Sequence, residues 1–227
     1  MQANLQPMKI IDHVWQVGGD GLTGSGDAAI YLVAFDSAAA LIDAGCGNGH
    51  QQLVQNISRC LPEAAKIQYL FLTHCHYDHA GGAAEVRKHY GFAIAAHELD
   101  AEYLESGDSR VTAAQWYNAH LEPLAIDYKI KSSEETFKLG SGSITAYHCP
   151  GHSPGSMALV SEVHGNRVLF GQDIHGPLHD ELLSSRRDYI TSLKFLLHLE
   201  ADILCEGHFG IFRGKQEVRE FISSFLR

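Results

Sequence analysis

The stretch Thr73-His74-Cys75-His76-Tyr77-Asp78-His79-Ala80-Gly81-Gly82 places three imidazoles and a carboxylate within six positions. It follows the apolar run Ile67-Gln68-Tyr69-Leu70-Phe71-Leu72, whose length and β-forming side chains predict a buried strand. The polar cluster therefore sits at a strand's carboxyl end. Side chains alternate in extended backbone, so His74 and His76 point to one side and Cys75 to the other, where it reads as packing. A tight turn has to follow, and Gly81-Gly82 can supply positive φ and a close backbone approach. That turn brings Asp78 and His79 back over the same spot. Imidazole nitrogen and carboxylate oxygen suit a borderline divalent cation such as zinc. Buried without a cation, these imidazoles would keep unpaired nitrogens and repel one another on protonation.

Around this cluster the chain alternates strand and helix patterns. Met8 to Val17, Ala28 to Phe35 and Ala38 to Ile42 read as an opening β-meander, with a turn at Asp36-Ser37. The small-residue loop Asp43-Ala44-Gly45-Cys46-Gly47 leads to a helix over Gln51 to Leu61, ended by Pro62. Its glycines lack the G-x-G-x-x-G register of a dinucleotide site. After the cluster come a helix at Ala83 to Tyr90, a strand at Phe92 to Ala96 and a helix at Glu98 to Glu105, which together predict a parallel βαβ unit. Residues 106–133, with a helix expected over Val111 to Leu121, read as a lid insertion or as an ordinary packed helix pair. Ser143 to Tyr147 is a strand, and the turn Cys149-Pro150-Gly151-His152-Ser153-Pro154-Gly155-Ser156 carries a histidine at its apex on a backbone fixed by Pro and Gly. A hairpin, Met157 to Val163 and Arg167 to Phe170, delivers Gly171-Gln172-Asp173. An amphipathic helix at Tyr189 to Leu199 precedes a short strand, Asp202 to Cys205, which delivers Glu206-Gly207-His208. A helix over Lys215 to Leu226 closes the chain, and the two β-rich halves suggest a loose duplication.

A chain of 227 residues, 45% hydrophobic, is long enough for one substantial core, so residues 1–227 read as a single domain. No apolar run is long enough to span a bilayer and residues 1–7 lack the pattern of a secretion signal, so a soluble, cytoplasmic protein without membrane partners is expected. Five scattered cysteines form no C-x-x-C pair and point to reduced thiols. A net charge of −10 with 17 Lys and Arg leaves no basic footprint for nucleic acid. A small molecule is the expected substrate, with a homo-oligomer compatible with the sequence. Fifteen histidines, by contrast, are many for a chain this size, and several should share one task.

The strand-end loops of the second half deliver His152, Asp173 and His208, which join His74, His76, Asp78 and His79. Seven donors exceed one tetrahedral ion and suit two divalent metal ions with a shared carboxylate. Zinc is the expected ion, with iron or manganese as alternatives. Asp43-Ala44-Gly45, Thr-His-x-His-x-Asp-His, Pro-Gly-His-Ser-Pro-Gly-Ser, Gly-Gln-Asp and Gly-His, in that order, resemble the metallo-β-lactamase-fold hydrolase superfamily along nearly the whole chain. The resemblance implies an α+β, four-layer αββα sandwich of two mixed β-sheets with the metals at one edge. It also implies that His74, His76 and His152 hold one metal, that Asp78, His79 and His208 hold the other, and that Asp173 bridges them. Asp43 would orient a ligand imidazole.

Asp173 stands where β-lactamases of that superfamily typically carry Cys or Ser, so the resemblance is to the glyoxalase II, lactonase and phosphoesterase branches. Only about twenty residues follow His208, fewer than the glutathione-binding helical region of glyoxalase II. In such a hydrolase two cations acidify a bridging water, Asp78 orients the resulting hydroxide, and an ester, thioester or lactone carbonyl is attacked. The competing reading is a mono-iron persulfide dioxygenase, held by a His, His, Asp set; phosphodiester cleavage and β-lactam hydrolysis rank below it. Further candidates for the pocket are His97, Trp116, Tyr117, His175, His179 and Arg187.

Overall fold

The computed structural model describes residues 6–171 and 173–226. Residues 1–5 of the amino-terminal reading and Gln172 of the Gly171-Gln172-Asp173 motif lie outside them. The opening meander consists of β1 (Met8–Ile11), β2 (Val14–Gly18), β3 (Ile30–Phe35) and β4 (Ala38–Ile42), all antiparallel. The strand expected from Met8 to Val17 is thus two, because His13 takes a positive φ of 67° and turns the chain back. Helix α1 (His50–Cys60) leads to β5 (Lys66–Phe71), which lies parallel to β4. The short helix α2 (Tyr77–Ala80) and α3 (Ala83–Tyr90) lead to β6 (Ala93–His97), α4 (Glu98–Ser106) and β7 (Tyr128–Ile130). These seven strands form one mixed sheet, in the order β1 to β7.

The second sheet is built from β8 (Glu134–Leu139), β9 (Gly142–His148), β10 (Met157–Val163) and β11 (Asn166–Phe170), all antiparallel, then α5 (Arg186–His198) and β12 (Ile203–Cys205), β13 (Ile211–Arg213) and α6 (Lys215–Ser224). Strand β12 is parallel to β11, so each sheet passes from a meander through a helix to a parallel neighbour. The edge strands β8 and β13 are not evident in the sequence pattern. Among the described residues no helix is long and apolar enough to cross a membrane.

Period-two alternation sorts the side chains into layers. From β3 and β4, Leu32, Ala34, Ala39 and Leu41 face α1, α3 and α4, where they meet Leu53, Ile57, Val86 and Leu104. Tyr31, Val33, Phe35, Ala40 and Ile42 face the other sheet and pack on Phe137, Ile144, Leu159 and Phe170. Ala158, Val160, Leu169 and Leu204 turn outward onto Tyr189, Leu193, Val218 and Ile222 of α5 and α6. The result is an αββα sandwich, helices on both outer faces of two mixed sheets.

At one edge the sheets are tied together. Met157 N–H donates to Thr73 O at 2.8 Å and Ala29 N–H to Gly207 O at 2.8 Å. The Tyr31 hydroxyl donates to Glu206 O at 2.8 Å. The helices expected at Ala83 to Tyr90 and Glu98 to Glu105 are present, whereas Val111 to Leu121 is irregular apart from a 3-10 turn at Ala114–Tyr117. Backbone strain at both ends of that turn, φ 57° at Ala113 and 52° at Asn118, is incompatible with a continuous helix.

Gly81 and Gly82 do not use positive φ; both are right-handed, at −58° and −83°. Their smallness serves close approach instead. A Cβ on Gly82 would stand 2.3 Å from Ala44 O, and one on Gly81 would stand 2.8 Å from Cys46 O. The start of α3 therefore rests on the loop after β4, and that contact aligns Asp43 with His79. Gly82→Ala should cost about 2 kcal/mol as backbone shifts to relieve the overlap, a fall in Tm of roughly 4–8 °C by calorimetry.

Candidate metal centre

Each donor in the centre leaves the end of a strand. His74 and His76 follow β5, Asp43 follows β4, His152 follows β9, Asp173 follows β11 and His208 follows β12. Helix α2 supplies Asp78 and His79, and its backbone is clamped by Ala28 N–H on Asp78 O at 3.1 Å and Ala44 N–H on His79 O at 2.7 Å. His74, His76, His152 and Asp173 offer donor atoms that all lie within 4.8 Å of one another, and so do Asp78, His79 and His208. The seven residues expected from the sequence are thus brought to one place, and a third group, Asp173, His175 and His208, overlaps the other two.

Asp173 stands between the groups. Its Oδ2 is 3.2 Å from His152 Nε2 and 3.8 Å from His74 Nε2, while Oδ1 is 3.2 Å from His79 Nε2 and 3.4 Å from His208 Nε2. Asp78 Oδ2 lies 3.2 Å from His208 Nε2. Asp173 holds a φ of 46°, a strained conformation for a non-glycine residue.

The outer nitrogens are fixed by the protein. His79 Nδ1–H donates to Asp43 Oδ2 at 2.7 Å, and His152 Nδ1–H donates to Pro177 O at 2.8 Å. Asp43, fully buried, also accepts from Thr73 N–H at 2.8 Å and the Thr73 hydroxyl at 2.7 Å. These bonds hold each ring with its Nε2 turned inward. The Nε2 atoms of His74, His76, His79 and His152 and the Oδ1 of Asp173 are buried with no hydrogen-bond partner among the described residues. Five such atoms facing one another in a folded protein are costly unless a cation lies among them. The donor set and its orphaned atoms fit divalent metal ions.

The electrostatics point the same way. Burial, with the neighbouring imidazoles, pushes His74 and His76 well below the usual histidine range, so both are neutral, the form that ligates. Burial also acts against charge on His79, but Asp173, Asp78 and Asp43 outweigh it and hold that imidazole well above its ordinary range. Asp173 is pulled well below the carboxylate range by His79, His152 and His208 against the opposing effect of burial. The carboxylates call for positive charge, which draws His79 and His208 above the usual histidine range while His74 and His76 stay below it.

Two carboxylates that carry no local signal organise the rim. Asp100, fully buried, accepts from Cys75 N–H at 2.8 Å, the Ser153 hydroxyl at 2.6 Å and Gly155 N–H at 2.6 Å, joining the His74 and His152 loops. Glu206 accepts from His175 Nδ1–H at 2.8 Å, His208 N–H at 2.8 Å and Phe209 N–H at 2.9 Å. The partners of Asp100, and His175 for Glu206, lie far away in sequence, so no spacing reveals these bonds.

A cleft of about 270 Å³ opens over the centre, lined by His76, Asp78, His152, Asp173, His175 and His208 together with Ala113, Trp116, Tyr117, Pro177 and Leu182. Trp116, Tyr117 and His175 are therefore pocket residues as expected. His97 is not: its ring stacks on His148 at 3.7 Å and its Nδ1 accepts from Leu99 N–H at the start of α4. His179 meets Trp116 edge-on at 5.4 Å without lining the cleft, and Arg187 lies exposed in the first turn of α5. Cys75 is buried in the helix-facing core, as its alternation from the histidines requires.

The family model of the metallo-beta-lactamase superfamily matches residues 23–208. Acyl-coenzyme A thioesterase MBLAC2 of Homo sapiens is 29% identical over 227 residues, covering 88% of this chain and 78% of that protein. Hydroxyacylglutathione hydrolase GloC of Haemophilus influenzae is 28% identical over 137 residues, 60% of each chain. Among solved structures, a HARLDQ-motif mutant of a metallo-beta-lactamase from Cronobacter sakazakii superposes with a TM-score of 0.79 at 21% identity, covering 97% of this chain and 94% of that one. His76→Ala should reduce bound metal by at least one equivalent in elemental analysis, whereas Cys75→Ala should retain the full complement. Loss of metal from Cys75→Ala would contradict its assignment to the core.

Proposed function

Because this chain belongs to the metallo-beta-lactamase superfamily, we propose that it is a metal-dependent hydrolase that cleaves the carbonyl of a thioester, ester or lactone. The observation that carries the reading is the set of five buried, partnerless ligand atoms beneath an open cleft. The thioesterase and hydrolase names of the two relatives favour a thioester within that range. His74, His76 and His152 would hold one cation and Asp78, His79 and His208 a second, with Asp173 within reach of both groups. Zinc fits the nitrogen-rich set best, with iron or manganese as alternatives. Cations held there supply Lewis acidity and make water acidic enough to lose a proton near neutral pH.

The remaining work falls to the chain. Asp78 lines the cleft, which suits it to orient the attacking water and accept its proton. Asp43 keeps the His79 imidazole turned inward, and Glu206 holds the His208 backbone. In the net reaction water's oxygen joins the acyl carbon, the C–S or C–O bond breaks, and a proton passes to the departing sulfur or oxygen. A thiol nucleophile is not required and is poorly supported. Burial, aided by Asp27, pushes Cys46 up to about 12, and burial alone pushes Cys149 up to about 12.

Removal of metal with a chelator should abolish turnover of simple thioesters, and zinc should restore it. Asp78→Asn should lower kcat roughly 100-fold or more in steady-state assays while the His74, His76 and His152 group still binds one equivalent of metal. Full turnover by protein shown to be metal-free would overturn the proposal.

A further inference from the structure

The lining of the cleft is mixed in chemistry: beside the polar centre, Ala113, Trp116, Pro177 and Leu182 offer carbon and aromatic surface, while the Tyr117 hydroxyl faces Asp78. Among the described residues that line the cleft none is Lys or Arg, while Asp78 and Asp173 both face it. A substrate carrying a carboxylate or phosphate next to its reacting carbonyl would find no Lys or Arg in that lining to pair with.

The aromatic lining is built at a cost. Trp116 and Tyr117 share the 3-10 turn Ala114–Tyr117, whose flanks, Ala113 and Asn118, both take left-handed backbone conformations. Such strain persists only where surrounding structure enforces it. Tyr77 N–H on Thr112 O at 2.8 Å and Ala119 N–H on Ala114 O at 3.0 Å do so here. The enforced turn leaves Trp116 50% exposed, with its ring against the edge of His179 at 5.4 Å. Tyr117 packs on Tyr77 at 5.7 Å. A large aromatic side chain held rigidly at a cleft mouth marks binding surface rather than misplaced core.

We infer that this wall binds an uncharged, apolar acyl chain and that Trp116 sets the chain-length preference. The inference rests on the acyl-hydrolase reading above and specifies the acyl half of its substrate. The cleft is finite, about 270 Å³, so preference should rise with acyl length and level off once the chain outgrows it. The same acyl chain can arrive on a thioester or within a lactone.

The test is kcat/KM of the zinc-loaded protein across acyl N-acetylcysteamine thioesters from acetyl to decanoyl, with succinyl as the anionic member, and across γ-lactones from butyrolactone to decanolactone. In at least one series kcat/KM should rise about threefold per methylene before levelling, and the series that rises identifies the leaving group. Succinyl should fall below butyryl, because its free carboxylate must lose water against carbon surface with no Lys or Arg to pair it. Trp116→Ala should cut octanoyl turnover roughly 10- to 100-fold yet leave acetyl within about threefold, and Trp116→Phe should restore most of the loss. Phe195→Ala, which removes an exposed aromatic that packs on Tyr147 outside the cleft, should leave the slope unchanged. A flat wild-type series, or a slope that survives Trp116→Ala, with acetyl turnover intact, overturns the wall and leaves the hydrolase standing. Absence of turnover across both series removes the hydrolase reading and the wall with it.

Discussion

The carboxylate of Asp173 faces imidazoles on both sides, with Oδ2 near His152 and His74 and Oδ1 near His79 and His208. Lone pairs that converge across 3.2–3.8 Å repel unless positive charge lies between them. The molecule does not relax this arrangement by turning the rings away; it enforces it. Asp43 and the Pro177 carbonyl occupy the outer nitrogens of His79 and His152, so their inner nitrogens have no alternative. The architecture around the centre can be understood as the scaffold needed to hold mutually repelling donors until a cation neutralises them.

That scaffold depends on both sheets. The first sheet contributes Asp43, His74, His76, Asp78 and His79, the second His152, Asp173 and His208. Neither contains a full set, and the centre is only as precise as the joint between them. Asp100 makes that joint on one side by accepting from Cys75, Ser153 and Gly155, and Tyr31 reaches the Glu206 carbonyl on the other. Direct bonds between strand-end loops add the rest. A buried carboxylate with three donors is costly to break because every donor it satisfies would be left unpaired.

The metal-competent residues were legible because each sits where an apolar run ends, so a local pattern reports a three-dimensional edge. The layers were legible through the resemblance and through period-two alternation in β3, β4 and β10. What escaped depends on partners remote in sequence. Asp100 lies in a helix that looks merely polar, and its importance comes from Ser153 and Gly155. Strand β8 alternates charged and apolar residues too irregularly to stand out, and β13 is three residues long. Val111 to Leu121 has helical apolar spacing, but the structure spends strain there to present Trp116 and Tyr117. Gly81 and Gly82 were recognised as special for two reasons, of which only the close approach operates.

The most direct test of the central claim is an anomalous-scattering crystal structure of the protein loaded with zinc. The account predicts peaks within about 2.0–2.2 Å of the inner nitrogens of His74, His76 and His152 and, for the second group, of His79 and His208, with Asp173 between them. Zinc-soaked crystals that show no anomalous density there, with the imidazoles hydrogen-bonded to water instead, would contradict it.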